Sequence, residues 1–131
     1  MSRLSNFRIL IVDDQSDVRS MLRKLLSELG ITQIFEASDG REALGFMDDA
    51  FDFVNCVICD WNMPAMSGVD LLRQLRSVGN DTPFLMVTGR SDKESVVEAK
   101  GAGVSAYIRK PFSPQQLEAK LRIMLERYEI E

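Results

Sequence analysis

The chain has 131 residues, 45% of them hydrophobic and 27% charged, with a net charge of −4 and no histidine. That length suits a single domain with a real hydrophobic core, and the acidic balance excludes a general nucleic-acid binder, which needs a basic stripe to neutralise phosphates. No apolar run approaches the roughly 20 residues that span a bilayer, and the stretch from Ile9 to Val12 is too short for a signal-peptide core. A soluble, cytoplasmic protein with no membrane partner is therefore expected.

The first β-branched run, Arg8–Asp13, predicts a strand ending in a pair of acids. After it Val18, Met21, Leu22, Leu25, Leu26 and Leu29 fall on one face of a helix that stops at Gly30. A second strand is expected over Gln33–Ala37, then a weaker helix from about Gly40 to Ala50 with Ala43, Leu44 and Met47 inward. The third strand, Asn55–Asp60, carries Cys56 and Cys59. Residues three apart in a strand face opposite ways, with Cα atoms roughly 10 Å apart, whereas a disulfide tolerates no more than about 7 Å. Two cysteines without a histidine cannot build a structural zinc site, so both read as small core residues.

A third helix follows Gly68, with Val69, Leu72 and Leu75 inward; a fourth strand is expected over Pro83–Val87 and a fourth helix from near Asp92, carrying Val96, Val97 and Ala99. Ser105–Arg109 predicts the fifth strand. The last helix opens with Ser113-Pro114-Gln115-Gln116, where serine caps, proline takes the first helical position and Gln116 completes a capping box. Its expected buried stripe is Leu117, Leu121, Met124, Leu125 and Tyr128.

Five βα units in succession predict an α/β fold, a doubly wound five-stranded parallel sheet with helices on both faces. The order 2-1-3-4-5, the flavodoxin-like arrangement, places ligands beyond the carboxyl ends of the strands, at the switch between strands 1 and 3. No repeat, linker or low-complexity tract marks a second domain, so one domain over 1–131 is expected, with its core at about 7–128 and no output domain.

Asp13 and Asp14 end strand 1, Asp60 ends strand 3, Thr88 follows strand 4 and Lys110 follows strand 5. Taken singly, an aspartate after a strand is a turn or cap residue; Asp39, Asp48, Asp49 and Asp92 take that ordinary reading. The group resists it. Three carboxylates about 5 Å apart repel by on the order of 3 kcal/mol per pair at an effective dielectric near 20. Such a cluster implies a cation, and hard oxygen donors with room for water suit Mg²⁺.

The stretches ILIVDD, CDWNMPAMSG, FLMVTG and YIRKPF, in that order, resemble the response-regulator receiver family from about Phe7 to Tyr128. The DWNMP wording makes the chain most similar to CheY-type stand-alone regulators. CheY itself exemplifies the order 2-1-3-4-5, so the topology is matched to a known pattern.

The resemblance implies that Asp60 is the phospho-acceptor, that Asp13, Asp14, Asp60 and the carbonyl of Asn62 hold Mg²⁺, and that Thr88 and Lys110 bind the phosphoryl oxygens. It implies a switch made of Thr88 and Tyr107, a cis peptide bond at Lys110-Pro111, and output through helix 4, strand 5 and helix 5. A sensor histidine kinase or histidine phosphotransfer protein would be the donor, since the chain has no histidine of its own. The protein would be a monomer or a weak phosphorylation-dependent dimer, and not a turnover enzyme. Arg90 has two readings, a shield over the phosphoryl group or a solvated charge, while Gly89 leaves room above the site.

A phosphorelay intermediate, or a receiver excised from a longer regulator, stays open. Other classes fit less well. An aspartate-nucleophile phosphatase of the haloacid-dehalogenase type needs a second aspartate two residues after the nucleophile, where this chain has Asn62. A flavodoxin cradles phosphate in a hydroxyl-rich first loop, where Asp13, Asp14 and Asp17 would repel it.

Overall fold

The computed structural model describes residues 3–50, 52–89 and 92–130; Arg90, with its two readings, lies outside them. The described residues form five strands, β1 (Arg8–Val12), β2 (Gln33–Ala37), β3 (Cys56–Asp60), β4 (Phe84–Thr88) and β5 (Ala106–Arg109). Between and after them run α1 (Ser16–Glu28), α2 (Gly40–Asp49), α3 (Gly68–Ser77), α4 (Lys93–Ala102) and α5 (Pro114–Arg127), with a short 3-10 turn at Leu4–Asn6. All pairings are parallel and the order is β2-β1-β3-β4-β5. The expected topology is the observed one.

β3 and β4 are buried at every position, as strands covered on both faces must be. One face packs against α1 and α5, through Ile9, Ile11, Ile58 and Leu85 against Leu22, Leu26, Leu117 and Leu121. The other face packs Leu10, Val57 and Phe84 against α2, α3 and α4, through Met47, Leu71, Leu72 and Ala99. Fully burying a side chain such as Leu26 contributes about 1.5–3 kcal/mol. Cys56 lies in the first layer and Cys59 in the second, both free and buried. Burial pushes both thiols well above their ordinary pKa, which keeps them protonated and unreactive.

Local chemistry fixes the helix starts. Asp39 and Asp92 cap α2 and α4 through the N–H groups of Glu42 and Ser95. Ser113 and Gln116 form the capping box of α5, with Pro114 in its first turn. Ser67 and Asp70 form a second box at α3.

Three outward placements depart from the helical stripes read from sequence. Met21 is 47% exposed and Val97 59% exposed. α4 instead buries Ser95, Ala99 and Ala102, because small residues let that helix lie close to its neighbours while Val97 falls on the outer arc. Tyr128 is 39% exposed and caps α5 rather than filling the core. Its hydroxyl donates to the Ser105 carbonyl at 3.1 Å, a polar need that full burial among leucines would leave unmet.

Candidate functional site

The parallel sheet brings four strand ends to one edge. Asp13 follows β1, Asp60 closes β3, Thr88 closes β4 and Lys110 follows β5. Oxygens of Asp13, Asp14 and Asp60 all lie within 4.8 Å of one another. Asp13 and Asp60 are buried while Asp14 is exposed, so the cluster is walled by protein on one side and open to solvent on the other. Three hard oxygen donors with an open side fit Mg²⁺, which keeps several waters when it binds.

Lys110 Nζ sits 3.0 Å from Asp60 Oδ1. The Lys110–Pro111 peptide bond is cis. The Lys110 N–H donates to the Thr88 carbonyl at 2.7 Å, and the Trp61 N–H donates to the Val87 carbonyl at 2.9 Å. Main-chain bonds therefore tie the ends of β3, β4 and β5 together, and the polar side chains ride on a rigid frame. Thr88 is fully buried.

Asp13 is held at each of its polar groups. Its N–H donates to the Ala37 carbonyl at 3.2 Å, its Oδ1 accepts from the Gln15 N–H at 2.9 Å, and its carbonyl accepts from Arg19 Nη1 at 2.7 Å. Burial raises the Asp13 carboxyl above the ordinary carboxylate range. The Gln15 hydrogen bond opposes that rise, the Asp60 charge adds to it, Lys110 offsets part of it and Asp14 adds slightly. Burial and the neighbouring Asp60 charge together favour the protonated Asp13 carboxyl in the metal-free chain.

Asn62 is exposed, two residues past Asp60 in the loop leading to α3. Tyr107 is half-buried and packs on the apolar layer that includes Met86 and Ala102. It also lines a shallow groove of about 380 Å³ with Arg109 and Lys120. A ring on an edge strand lowers its free energy by covering apolar surface. At Gly89 a Cβ would meet nothing within 4 Å, so there is open space on that side of the site.

Two residues went unnoticed in the sequence. A Cβ at Gly68 would run into the Asp60 carbonyl oxygen and come within 2.9 Å of the Met86 sulfur. The Gly68 N–H also donates to the Trp61 carbonyl at 2.8 Å, so α3 starts directly against the backbone of Asp60. The sequence offered Gly68 only as a helix start. Arg19, which reaches the Asp13 carbonyl, left a fainter signal: it and Arg23 lie four apart on the polar face of α1.

A groove of about 420 Å³ flanks the site, lined by Val18, Met21, Leu22, Val87, Pro111 and Phe112 with Lys110 at its rim. Met21 is exposed because it forms this wall. Among the described residues no helix is long and apolar enough to cross a membrane.

A doubly wound sheet with an acid cluster at the β1–β3 switch defines a receiver-type module, and the model of the response regulator receiver domain matches residues 9–122. The chain belongs to that family. Chemotaxis protein CheY of Pseudomonas aeruginosa is 43% identical over 123 residues, covering 92% of this chain and 97% of that protein. Chemotaxis protein CheY-3 of Vibrio cholerae is 43% identical over 125 residues, covering 93% and 94%. The solved structure of Vibrio cholerae chemotaxis protein CheY4 superposes with a TM-score of 0.82 at 33% identity, covering 89% of this chain and 97% of that one. This is a CheY-like receiver domain of two-component signalling, a signalling module rather than a classical turnover enzyme.

Proposed function

We propose that the chain receives a phosphoryl group on Asp60 from a phosphohistidine of a sensor histidine kinase or histidine phosphotransfer protein. The supporting observation is the set of three carboxylates within 4.8 Å, one of them 3.0 Å from a lysine ammonium. Asp13, Asp14, Asp60 and the Asn62 carbonyl would hold Mg²⁺, which when bound neutralises charge on the phosphoryl oxygens.

Asp60 acts as a carboxylate nucleophile. Its free oxygen attacks phosphorus, the P–N bond to the donor imidazole breaks, and the departing ring nitrogen leaves neutral once the ring's other proton is counted. Lys110 already points at Asp60 and follows the new negative charge onto the phosphoryl oxygens; such positioning is most of what phosphoryl transfer asks of a protein. The apolar groove beside Lys110 gives a donor protein dry surface next to the nucleophile.

The phosphoryl group adds roughly −1.5 to −2 charges. Thr88 turns its hydroxyl to the new oxygens, the loop after β4 follows, and Tyr107 sinks further beside β5, reshaping the face made by α4, β5 and α5 for a downstream protein. Only a contact that differs between the two states can drive such a change, and the Thr88 hydrogen bond is that contact. The chain assists its own phosphorylation and dephosphorylation and stays monomeric or pairs weakly when phosphorylated.

Acetyl phosphate plus Mg²⁺ should add one phosphoryl mass, labile to base and hydroxylamine, and Asp60→Asn should abolish it. Unchanged labelling of that variant sinks the assignment. With beryllofluoride, NMR shifts should spread across α4 to α5, and Thr88→Ala should confine them to the pocket. Shifts confined there in the unmutated chain would rule this face out as the output surface.

A further inference from the structure

We propose that Arg19 is a positioning residue for the metal site, a role that rests on the reading of the acid cluster as a Mg²⁺ site. Its guanidinium is anchored at both ends. Nη1 donates to the Asp13 carbonyl at 2.7 Å and Nε donates to Glu36 Oε1 at 3.0 Å. The other Glu36 oxygen takes Arg23 Nε at 2.7 Å, and Arg23 Nη2 donates to the Ile34 carbonyl at 3.1 Å. Glu36 is itself fixed in β2, in register with Ile11 of β1. The Arg19 side chain is only 18% exposed, so the fork has little freedom, and its planar donors reach two acceptors at once.

The bond to the Asp13 carbonyl matters because of where that carbonyl lies. It belongs to the peptide unit joining Asp13 to Asp14, the two acids that leave β1 in sequence. The Asp13 N–H and carboxylate are already held by Ala37 and Gln15. Arg19 fixes the remaining freedom, the rotation of the Asp13–Asp14 peptide plane. That rotation sets the position of the exposed Asp14 carboxylate relative to the buried Asp13 and Asp60. Mg²⁺ tolerates little error, because it demands near-octahedral oxygens at about 2.0–2.1 Å. Groups that orient ligands without touching the metal typically change affinity by about 10–100-fold.

Two alternatives make different forecasts. If Arg19 acted only as a charge near the acids, removing it would strengthen cation binding, since a competing positive charge would be gone. If it only stapled α1 to β2, then Arg23, which shares Glu36 but has no contact with Asp13 among its hydrogen bonds here, would matter equally. Positioning predicts the opposite sign from the first and an unequal pair for the second.

The experiment is a Mg²⁺ titration of the full chain followed by fluorescence of Trp61, the single tryptophan, which is buried next to Asp60 in sequence. Arg19→Ala is expected to weaken Mg²⁺ about tenfold, while Arg23→Ala stays within about twofold of the unmutated chain. Arg19→Lys keeps the charge but not the fork; it should weaken binding by a smaller factor in the same direction, and it carries the test should the alanine variant fail to fold. Tighter or unchanged binding in both Arg19 variants overturns the role, as does an equal loss in Arg23→Ala. An unmutated chain that takes up no Mg²⁺ overturns the metal-site reading and this proposal with it.

Discussion

The two ends of the sheet obey opposite rules. At the amino edge, the entries of β1, β3, β4 and β5 are closed by backbone and neutral side-chain groups that satisfy one another. Asn55 Oδ1 accepts from the Arg8 N–H at 2.6 Å while its amide donates to the Asn6 carbonyl at 2.9 Å. Asn80 Oδ1 accepts from both the N–H and the hydroxyl of Thr82. Ser105 Oγ accepts from the Phe84 N–H at 2.8 Å. At the carboxyl edge the chain keeps three carboxylates together, and among the described residues Lys110 is the one cation paired to a carboxylate of the cluster. Satisfied neutral bonds stabilise modestly; crowded like charges destabilise. The amino edge holds the fold, and the carboxyl edge retains like-charge repulsion of the kind that a bound cation would relieve.

Removing a polar side-chain group should therefore have opposite signs at the two ends, whereas crowding the backbone costs stability at either. The largest effect is expected for Gly68→Ala, whose methyl would strike the Asp60 backbone and Met86. It should cost about 2–3 kcal/mol, as overpacking does, and slow labelling by acetyl phosphate. A urea melt reads the first and mass spectrometry the second; a fully stable variant would mean that α3 is free to slide away from Asp60.

Asp13→Asn should move the other way and stabilise the metal-free chain by about 1–3 kcal/mol, since it removes a repelling charge, while weakening Mg²⁺. Paired melts with and without Mg²⁺ check both. A destabilised metal-free variant would mean that the cluster is not strained and would erase the contrast between the edges.

At the amino edge, Asn55→Ala should cost about 1–2 kcal/mol by leaving the Arg8 N–H and Asn6 carbonyl without their partner. Labelling of Asp60 at saturating donor should be unaffected. Loss of labelling in a chain that still melts cooperatively would show that the two edges are coupled.

The smallest effect concerns pH. The Asp13 carboxyl is raised in the fold, so the folded metal-free chain binds this proton more tightly than the unfolded chain. Its contribution is fully present below the ordinary value of 3.8. It is lost as pH rises through the raised folded value. Glu36 runs oppositely. The Arg23 hydrogen bond holds it below its ordinary 4.5, opposed by desolvation and aided next by the Arg19 hydrogen bond, so its contribution is present above that value and lost as pH falls through the lowered one. Asp13→Asn should remove the first slope and Glu36→Gln the second in metal-free melts across the acid range. An unaltered slope in Asp13→Asn would place the proton elsewhere in the cluster.

Much of this was legible in the sequence. β-branched runs bounded by turn residues located all five strands to within a residue at each end; for β3 and β4, burial on both faces leaves little choice of composition. Capping chemistry is local, so Ser113, Pro114 and Gln116 announced the start of α5 by themselves. Asp13, Asp60, Thr88 and Lys110 could be assembled from topology alone, since parallel strands with right-handed crossovers send every carboxyl end to one edge.

What the tertiary structure decided involves distances between segments that sequence spacing does not encode. Helical periodicity put Met21, Val97 and Tyr128 inward, but the width of the buried arc depends on the neighbours each helix meets, and these three fell at or beyond its margin. The half-burial of Tyr107 depends on how α4 lies across the sheet. Gly68 and Arg19 depend on approaches across the fold, a helix start against the Asp60 backbone and a guanidinium reaching back from α1 to the Asp13 carbonyl. Composition and period fix which residues are apolar and which end each strand. Only the packed chain fixes how closely two backbones approach, and that closeness sets the geometry of the acid cluster.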